Sequence, residues 1–381
     1  MGKKKKNKAN KVRVQFRKNR GSRSRQNRIS EEQLASENIE DLASEERVSG
    51  KGALSRYRTV KSVGGEDEND LQRVVDESVC EPARILSTAG LNSLARTESG
   101  RDYECTVRQV VRTVSRENRN AVVTGDHVLI QPINEEQAVV ERVEPRYGTL
   151  SRQSGGREHL IVANVDQALI VVSADEPPLK PNLIDRFLVS AGKGDVTPIV
   201  CINKADLVDP SDLQPIVGLY AQLGYRVLQC SGAKGWGLDV LRRILKDKQT
   251  VLAGQSGVGK STLINRVQPD LNLETSHISE WSSKGRHTTR RAVMYPLAMG
   301  GAVVDTPGIR QMALWDVVQE EVEGFFVEFR PFVPLCQFPD CSHTHEEKCG
   351  VKQAVIAELV SHQRYDSYLK ILSDEQFDPE W

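Results

Sequence analysis

The chain has 381 residues, 38% hydrophobic and 27% charged, with 52 basic side chains balancing 52 acidic ones. No apolar run approaches the roughly 18 residues that cross a bilayer, and Met1-Gly2-Lys3-Lys4-Lys5-Lys6 leads into more basic residues, so neither a membrane protein nor a secretory signal is expected. Seven unevenly spaced cysteines argue against a disulfide framework and for a reducing, cytoplasmic compartment.

The zero net charge hides an asymmetry. Residues 1–28 hold thirteen Lys and Arg and no acid, whereas residues 31–70 hold five basic and eleven acidic residues. A like-charged block repels itself and has little to bury, so residues 1–75 read as a disordered basic tail and acidic linker. The tail is either a solvated segment or an electrostatic arm for nucleic acid, since each Lys or Arg that meets a phosphate releases counterions.

From Cys80 to about Pro145 the pattern becomes short alternating segments: Tyr103–Arg108, Ala121–Val123, His127–Ile130 and Ala138–Val143. Turn signals at Ala89-Gly90, Ser99-Gly100 and Gly125-Asp126 separate them, which predicts a small all-β barrel over residues 76–150. Residues 151–318 alternate strand and helix. Strands are predicted at Gln167–Ser173, Pro198–Ile202, Tyr225–Cys230 and Thr250–Ala253, helices at Leu183–Ser190 and Leu238–Leu245, and a hairpin joins Ala292–Leu297 to Ala302–Asp305. Near-continuous apolar strands between helices imply a mostly parallel α/β sheet. Residues 319–381 look mainly helical around a Cys/His cluster.

Gly254-Gln255-Ser256-Gly257-Val258-Gly259-Lys260-Ser261 fits G-x-x-x-x-G-K-[ST], follows a strand and opens a helix through Thr262. Its glycines let backbone N–H groups converge on phosphate at the positive end of that helix; Lys260 reaches the β- and γ-phosphates and Ser261 ligates Mg²⁺. Asn203-Lys204-Ala205-Asp206 has the form of the N-K-x-D guanine signature. Its Asp206 carboxylate accepts from guanine N1–H and the 2-amino group, donors that adenine does not pair in this way. Cys230-Ser231-Gly232-Ala233-Lys234 resembles the S-A-K loop that contacts guanine O6, with Gly232 where Ala is usual. Asp305-Thr306-Pro307-Gly308 matches D-x-x-G, in which Asp305 holds Mg²⁺ through water and the Gly308 N–H senses the γ-phosphate. Within Gly285-Arg286-His287-Thr288-Thr289 a Thr completes the Mg²⁺ shell; both Thr288 and Thr289 are candidates and Thr289 is favoured. Ile309 stands where many GTPases place a water-orienting Gln, which leaves His287 as the nearest polar candidate for that task.

These motifs run N-K-x-D, S-A-K, phosphate loop, Thr, D-x-x-G, a circular permutation of the ordinary GTPase order. Further on, Cys336, Cys341, His343 and Cys349 give C-x₄-C-x-H-x₅-C, a donor set suited to one closed, structural Zn²⁺, with His345 a competing ligand. Cys80, Cys105, Cys201 and Cys230 read as core residues.

From about residue 78 to 375 the chain resembles the ribosome small subunit-dependent GTPase A family, the circularly permuted bacterial GTPases. The resemblance rests on Gly125-Asp126, Ala163-Asn164-Val165-Asp166-Gln167, Asn203–Leu207, the phosphate loop, Gly285–Thr289, Asp305–Gly308 and the metal ligands, among which it favours His343. It implies an OB-fold, a permuted GTPase domain and a zinc domain. The motifs themselves, apart from the resemblance, make His287, Lys260 and Thr289 the candidate catalytic residues, with GTP and GDP as ligands. By the resemblance, the small ribosomal subunit and its rRNA would be the partners, in late subunit maturation, with hydrolysis stimulated by that subunit. A monomer is the expected state. Arg290 follows Thr289 where many members carry a third Thr. The rival readings are an RNA-binding scaffold that uses GTP only as a regulator, and a permuted GTPase of the large subunit.

Overall fold

The computed structural model describes residues 10–15, 57–63, 72–73, 75–90, 92–108, 111, 121–153, 158–271, 273, 292–306 and 319–373. The chain divides into two compact units, one of residues 1–85, 90–122 and 127–145, the other of residues 86–89, 123–126 and 146–381. In the first unit, Asn10–Gln15 (β1), Tyr57–Val63 (β2) and Gln72–Arg73 (β3) form a small antiparallel sheet. Strands thus occur within the segment expected to be a tail; the remainder of that segment, up to residue 71, lies outside the described residues.

Glu81–Ala89 (β4), Asn92–Thr97 (β5), Asp102–Val107 (β6), His127–Pro132 (β7) and Gln137–Val143 (β8) pair in the order β4-β5-β6-β8-β7, and β7 returns to β4. The β6–β8 pair is parallel, and β4–β7, β5–β6 and β7–β8 are antiparallel. This is the closed five-stranded barrel of an OB-fold. Its interior follows from period two: along β6, Tyr103, Cys105 and Val107 are buried while Asp102, Glu104 and Thr106 are exposed. Two differences from the sequence reading have local causes. Ala121–Val123 is a turn rather than a strand, because the Asp126 carboxylate accepts from Val123 N at 2.8 Å and Asp126 N donates back to Val123 O at 3.2 Å. Strand β5 lacks the usual signal because its inward residues are Ser93, Ala95 and Thr97, while Leu94 faces out at 40% exposure.

The second unit contains the hairpin Leu150–Gln153 (β9) and Glu158–Val162 (β10), then a six-stranded sheet. Its strands are Gln167–Ser173 (β11), Thr197–Asn203 (β12), Arg226–Gln229 (β13), Gln249–Ala253 (β14), Val293–Pro296 (β15) and Ala302–Asp305 (β16). The order is β13-β12-β11-β14-β16-β15, parallel except for the β15–β16 hairpin. Central β11 is buried at every position because both faces are covered. Ala168, Ile170 and Val172 pack toward Pro181–Lys193 (α1) and Gln214–Gln222 (α2); Leu169 and Val171 pack toward Leu238–Leu245 (α3) and Lys260–Val267 (α4).

Gln319–Phe325 (α5), Gly350–Ile356 (α6) and His362–Leu372 (α7) complete the C-terminal part. Phe326, Phe329, Val351, Val355, Tyr368 and Ile371 share a core there with Val189 of α1. Helix α1 is longer than the sequence reading and buried on all sides, Asp185 and Arg186 included, since the sheet lies on one side and these helices on the other.

Candidate nucleotide site and metal centre

Five parallel strands deliver their C-terminal ends to one edge of the sheet, where ligands of open α/β sheets bind. Ser173 of β11 pairs with Asn203 of β12, Ile202 of β12 with Gln229 of β13, and Leu252 of β14 with Asp305 of β16. Motifs spread over a hundred residues of chain therefore meet at one edge.

The phosphate loop joins β14 to α4. Gly254, Gly257 and Gly259 have φ of +131°, +80° and +90°, angles that L side chains rarely adopt. A Cβ on Gly259 would lie 2.4 Å from Asn203 Nδ2, so the glycine is needed for close approach as well as for its angle. Lys260 Nζ donates to Gly254 O and Gln255 O, both at 2.7 Å, which folds the ammonium back across its own loop.

Asn203 joins three of the motifs. Its Nδ2 donates to Val258 O in the phosphate loop at 2.8 Å, and its Oδ1 accepts from Gly232 N at 3.1 Å. Lys204, in the left-handed region at φ +57°, caps the short turn Ala205–Leu207 that presents the half-buried Asp206. Ala205 N donates to Cys230 O at 3.0 Å, which couples this turn to the loop after β13, and within that loop Lys234 N donates to Ser231 Oγ at 2.9 Å. A Cβ on Gly232 would stand 3.3 Å from Thr262 Cγ2, so the usual Ala would fit with a small adjustment.

Asp305 is half-buried at the end of β16, and Thr306 beside it is buried. Gly308, Ile309, His287, Thr288, Thr289 and Arg290 lie outside the described residues.

Two features escaped the sequence reading. Arg266, on α4, donates from Nε to Gly232 O at 3.0 Å and from Nη2 to Ala233 O at 3.1 Å, which ties α4 to the loop after β13. Its only signal is position, about two turns beyond Lys260. The turn after β11 also borders the site: Lys204 Nζ donates to Glu176 O, and a Cβ on Gly257 would lie 3.9 Å from Pro177 Cδ.

In the C-terminal part, donor atoms of Cys336, Cys341, His343 and Cys349 all lie within 4.8 Å of one another. His343 Nδ1 is 3.2 Å from Cys349 Sγ and 3.5 Å from Cys336 Sγ, while its Nε2 is 3.0 Å from Glu323 Oε2. That leaves Nδ1 for the metal and sets the tautomer through a carboxylate. His345 is 83% exposed and stands apart, which decides between the two histidines. Gly350 N and Lys352 N donate to Cys336 Sγ and Cys349 Sγ at 3.3 and 3.4 Å, as suits sulfurs that carry negative charge. Burial first, and then the neighbouring Cys349 and Cys336 sulfurs, push the Cys341 thiol up to about 12, so a cation is what would bring it to thiolate near neutrality. Three thiolates and an imidazole fit tetrahedral Zn²⁺ with no position left for water. Of the other cysteines, Cys105, Cys201 and Cys230 are buried core residues, while Cys80 is half-buried ahead of β4.

The RsgA GTPase family matches residues 143–315. The small ribosomal subunit biogenesis GTPase RsgA of Phocaeicola vulgatus is 35% identical over 298 residues, 77% of this chain and 96% of its own. The chain belongs to the RsgA GTPase family. The RsgA of Shewanella oneidensis is 37% identical over 304 residues, 77% of this chain and 83% of its own. YjeQ from Thermotoga maritima superposes with a TM-score of 0.62 at 31% identity, over 77% of this chain and 98% of that one. YloQ, described as a circularly permuted GTPase, gives 0.61 at 30% identity, over 81% and 100%. These RsgA relatives each match about three quarters of the chain.

Proposed function

We propose that the chain is a cytoplasmic, monomeric GTPase that acts on the small ribosomal subunit late in its maturation, contacts rRNA, and hydrolyses GTP faster when bound there. The observation that carries this reading is Asn203, whose one amide ties the guanine turn, the second guanine loop and the phosphate loop into a single preformed cradle. Functionally the chain divides into residues 1–75 (basic tail and acidic linker), 76–150 (barrel), 151–318 (GTPase) and 319–381 (zinc part).

Asp206 accepts from guanine N1–H and the 2-amino group, and the Lys204 stem covers the ring. Ser231 and Gly232 border O6. Backbone N–H groups of Gly254–Thr262 hold the phosphates, and Lys260 exchanges its loop carbonyls for β- and γ-oxygens, placing its charge where it builds up during transfer. Ser261, Asp305 and Thr289 would hold Mg²⁺, which supplies charge neutralisation between the phosphates. Gly308 senses the γ-phosphate. In place of a Gln, Ile309 leaves water orientation to His287, whose neutral imidazole accepts from water. The four zinc ligands have a structural role.

Phosphate release from GTP, measured with purified protein alone, with small subunits and with large subunits, tests the whole reading. Stimulation by small subunits alone is expected; binding without hydrolysis would leave a scaffold, and stimulation by large subunits would name the wrong partner. His287→Ala should lower subunit-stimulated hydrolysis about 10²-fold while GTP affinity and subunit co-sedimentation persist. Normal hydrolysis in that variant would remove His287 from the reaction.

A further inference from the structure

The loop that follows β13 carries an indole into solvent. Trp236 is 54% exposed and belongs to none of the buried clusters. Its backbone is nonetheless fixed: Ser231 N donates to Trp236 O at 3.1 Å, and Gly235 N donates to Ser231 O at 2.8 Å. Next to it, Gly237 has φ +72°, and a Cβ there would fall 2.3 Å from Gln229 O, so only glycine fits the turn that projects Trp236. A rigid loop that holds a large aromatic ring in water is a stacking platform in search of a π-face.

The surroundings are cationic. Lys234, Arg243 and Arg266 are exposed, and Arg242 is half-buried beside them. They are connected through the backbone, since Arg266 Nη2 reaches Ala233 O at 3.1 Å and Arg242 Nη2 reaches Arg266 O at 3.1 Å. Asp239 offsets Arg242 at 2.8 Å. The core of a protein interface is depleted of charge, whereas single-stranded nucleic acid is held by cations on its backbone and aromatic rings on its bases.

We propose that Trp236, with Lys234, Arg242, Arg243 and Arg266, binds an unpaired RNA segment, the indole stacking on a base and the cations facing the phosphates. The proposal rests on the ribosomal reading above and names a surface for it on the GTPase sheet itself, outside the basic tail.

The test titrates full-length protein with a labelled oligouridylate of about 12 nucleotides, and with duplex RNA of equal length. Trp236→Ala should weaken single-strand binding by about tenfold or more, and Trp236→Phe should recover most of it. Duplex binding should change little, and an unchanged GTP affinity reports an intact fold. Arg243→Gln should lower the dependence of log affinity on log salt by about 0.7. Single-strand affinity equal to wild type in both Trp236→Ala and Arg243→Gln overturns the proposal. Should wild type co-sediment with small subunits in that case, the ribosomal role stands and only this surface falls; should it ignore subunits, the role falls too. Loss of subunit binding in Trp236→Ala without any loss of RNA affinity would assign the surface to a ribosomal protein instead.

Discussion

Asn203 and Asp206 stand three residues apart and do different work. Asn203 ties the loops together, through Val258 O and Gly232 N, and Asp206 is the residue proposed to read the base. Asp206→Asn replaces one acceptor oxygen with a donor facing guanine's own donors. GTP affinity should fall by about 2–4 kcal/mol, and xanthine nucleotides, with a carbonyl in place of the 2-amino group, should bind better than GTP. Titration with both nucleotides checks this, and an unchanged GTP affinity would remove Asp206 from base reading. Motifs of this kind are legible in sequence because their geometry is local: a strand end, a glycine at positive φ and a helix start within eight residues. Arg266 was not legible, because its partners Gly232 O and Ala233 O come from a loop more than thirty residues away, and nothing local distinguishes it from a surface arginine.

At the scale of elements, the most telling contact joins α1 to α7. Arg364 is 1% exposed; its Nη1 donates to Asp185 Oδ1 at 2.6 Å and its Nε to Glu328 Oε1 at 2.6 Å, with the guanidinium 4.4 Å from the Phe326 ring centre. Tyr220 Oη also donates to Asp185 Oδ1, at 2.7 Å. Nothing local in the sequence marks Asp185 as buried, because its partner lies 179 residues away. Burial pushes the Asp185 carboxyl upward, and the guanidinium is the charge that opposes this. Arg364→Met should destabilise the fold by about 3–5 kcal/mol, leaving buried carboxylates unpaired. Adding Asp185→Leu should recover part of that loss, measured by chemical denaturation; equal stabilities in all three proteins would show the pair to be inert. The neighbouring metal loop gives a separate expectation. Cys341→Ala should lower zinc content and loosen residues 319–373, with nucleotide affinity largely retained because the cradle is built by β11 to β16. Elemental analysis and GTP titration of one preparation decide it, and an intact protein purified without zinc would refute the structural role.

Across the whole molecule, permutation reorders the chain and leaves the sheet edge intact. The order of motifs disclosed the permutation, and short alternating segments between turn signals disclosed the barrel. The N-terminal strands escaped notice because Asn10–Gln15 alternates polar and apolar residues inside a strongly basic block, where charge outweighs any pattern. Their pairing changes how the basic segment is best tested. Removing residues 1–28 would also remove β1 from its partner β2, so a loss of binding would confound charge with fold. Replacing Lys3, Lys4, Lys5 and Lys6 by Gln takes away four charges and leaves every residue of β1 in place. If those lysines face RNA phosphates, the slope of log affinity for small subunits against log salt should become shallower by roughly 0.7 for each lysine engaged, up to about 3. Hydrolysis of GTP by the protein alone should not change, since the phosphate loop and guanine turn lie beyond residue 200. A slope that stays the same would make the segment a solvated tail. A slope that falls only when Arg243→Gln is also present would instead show that the lysines and the Trp236 surface compete for the same strand.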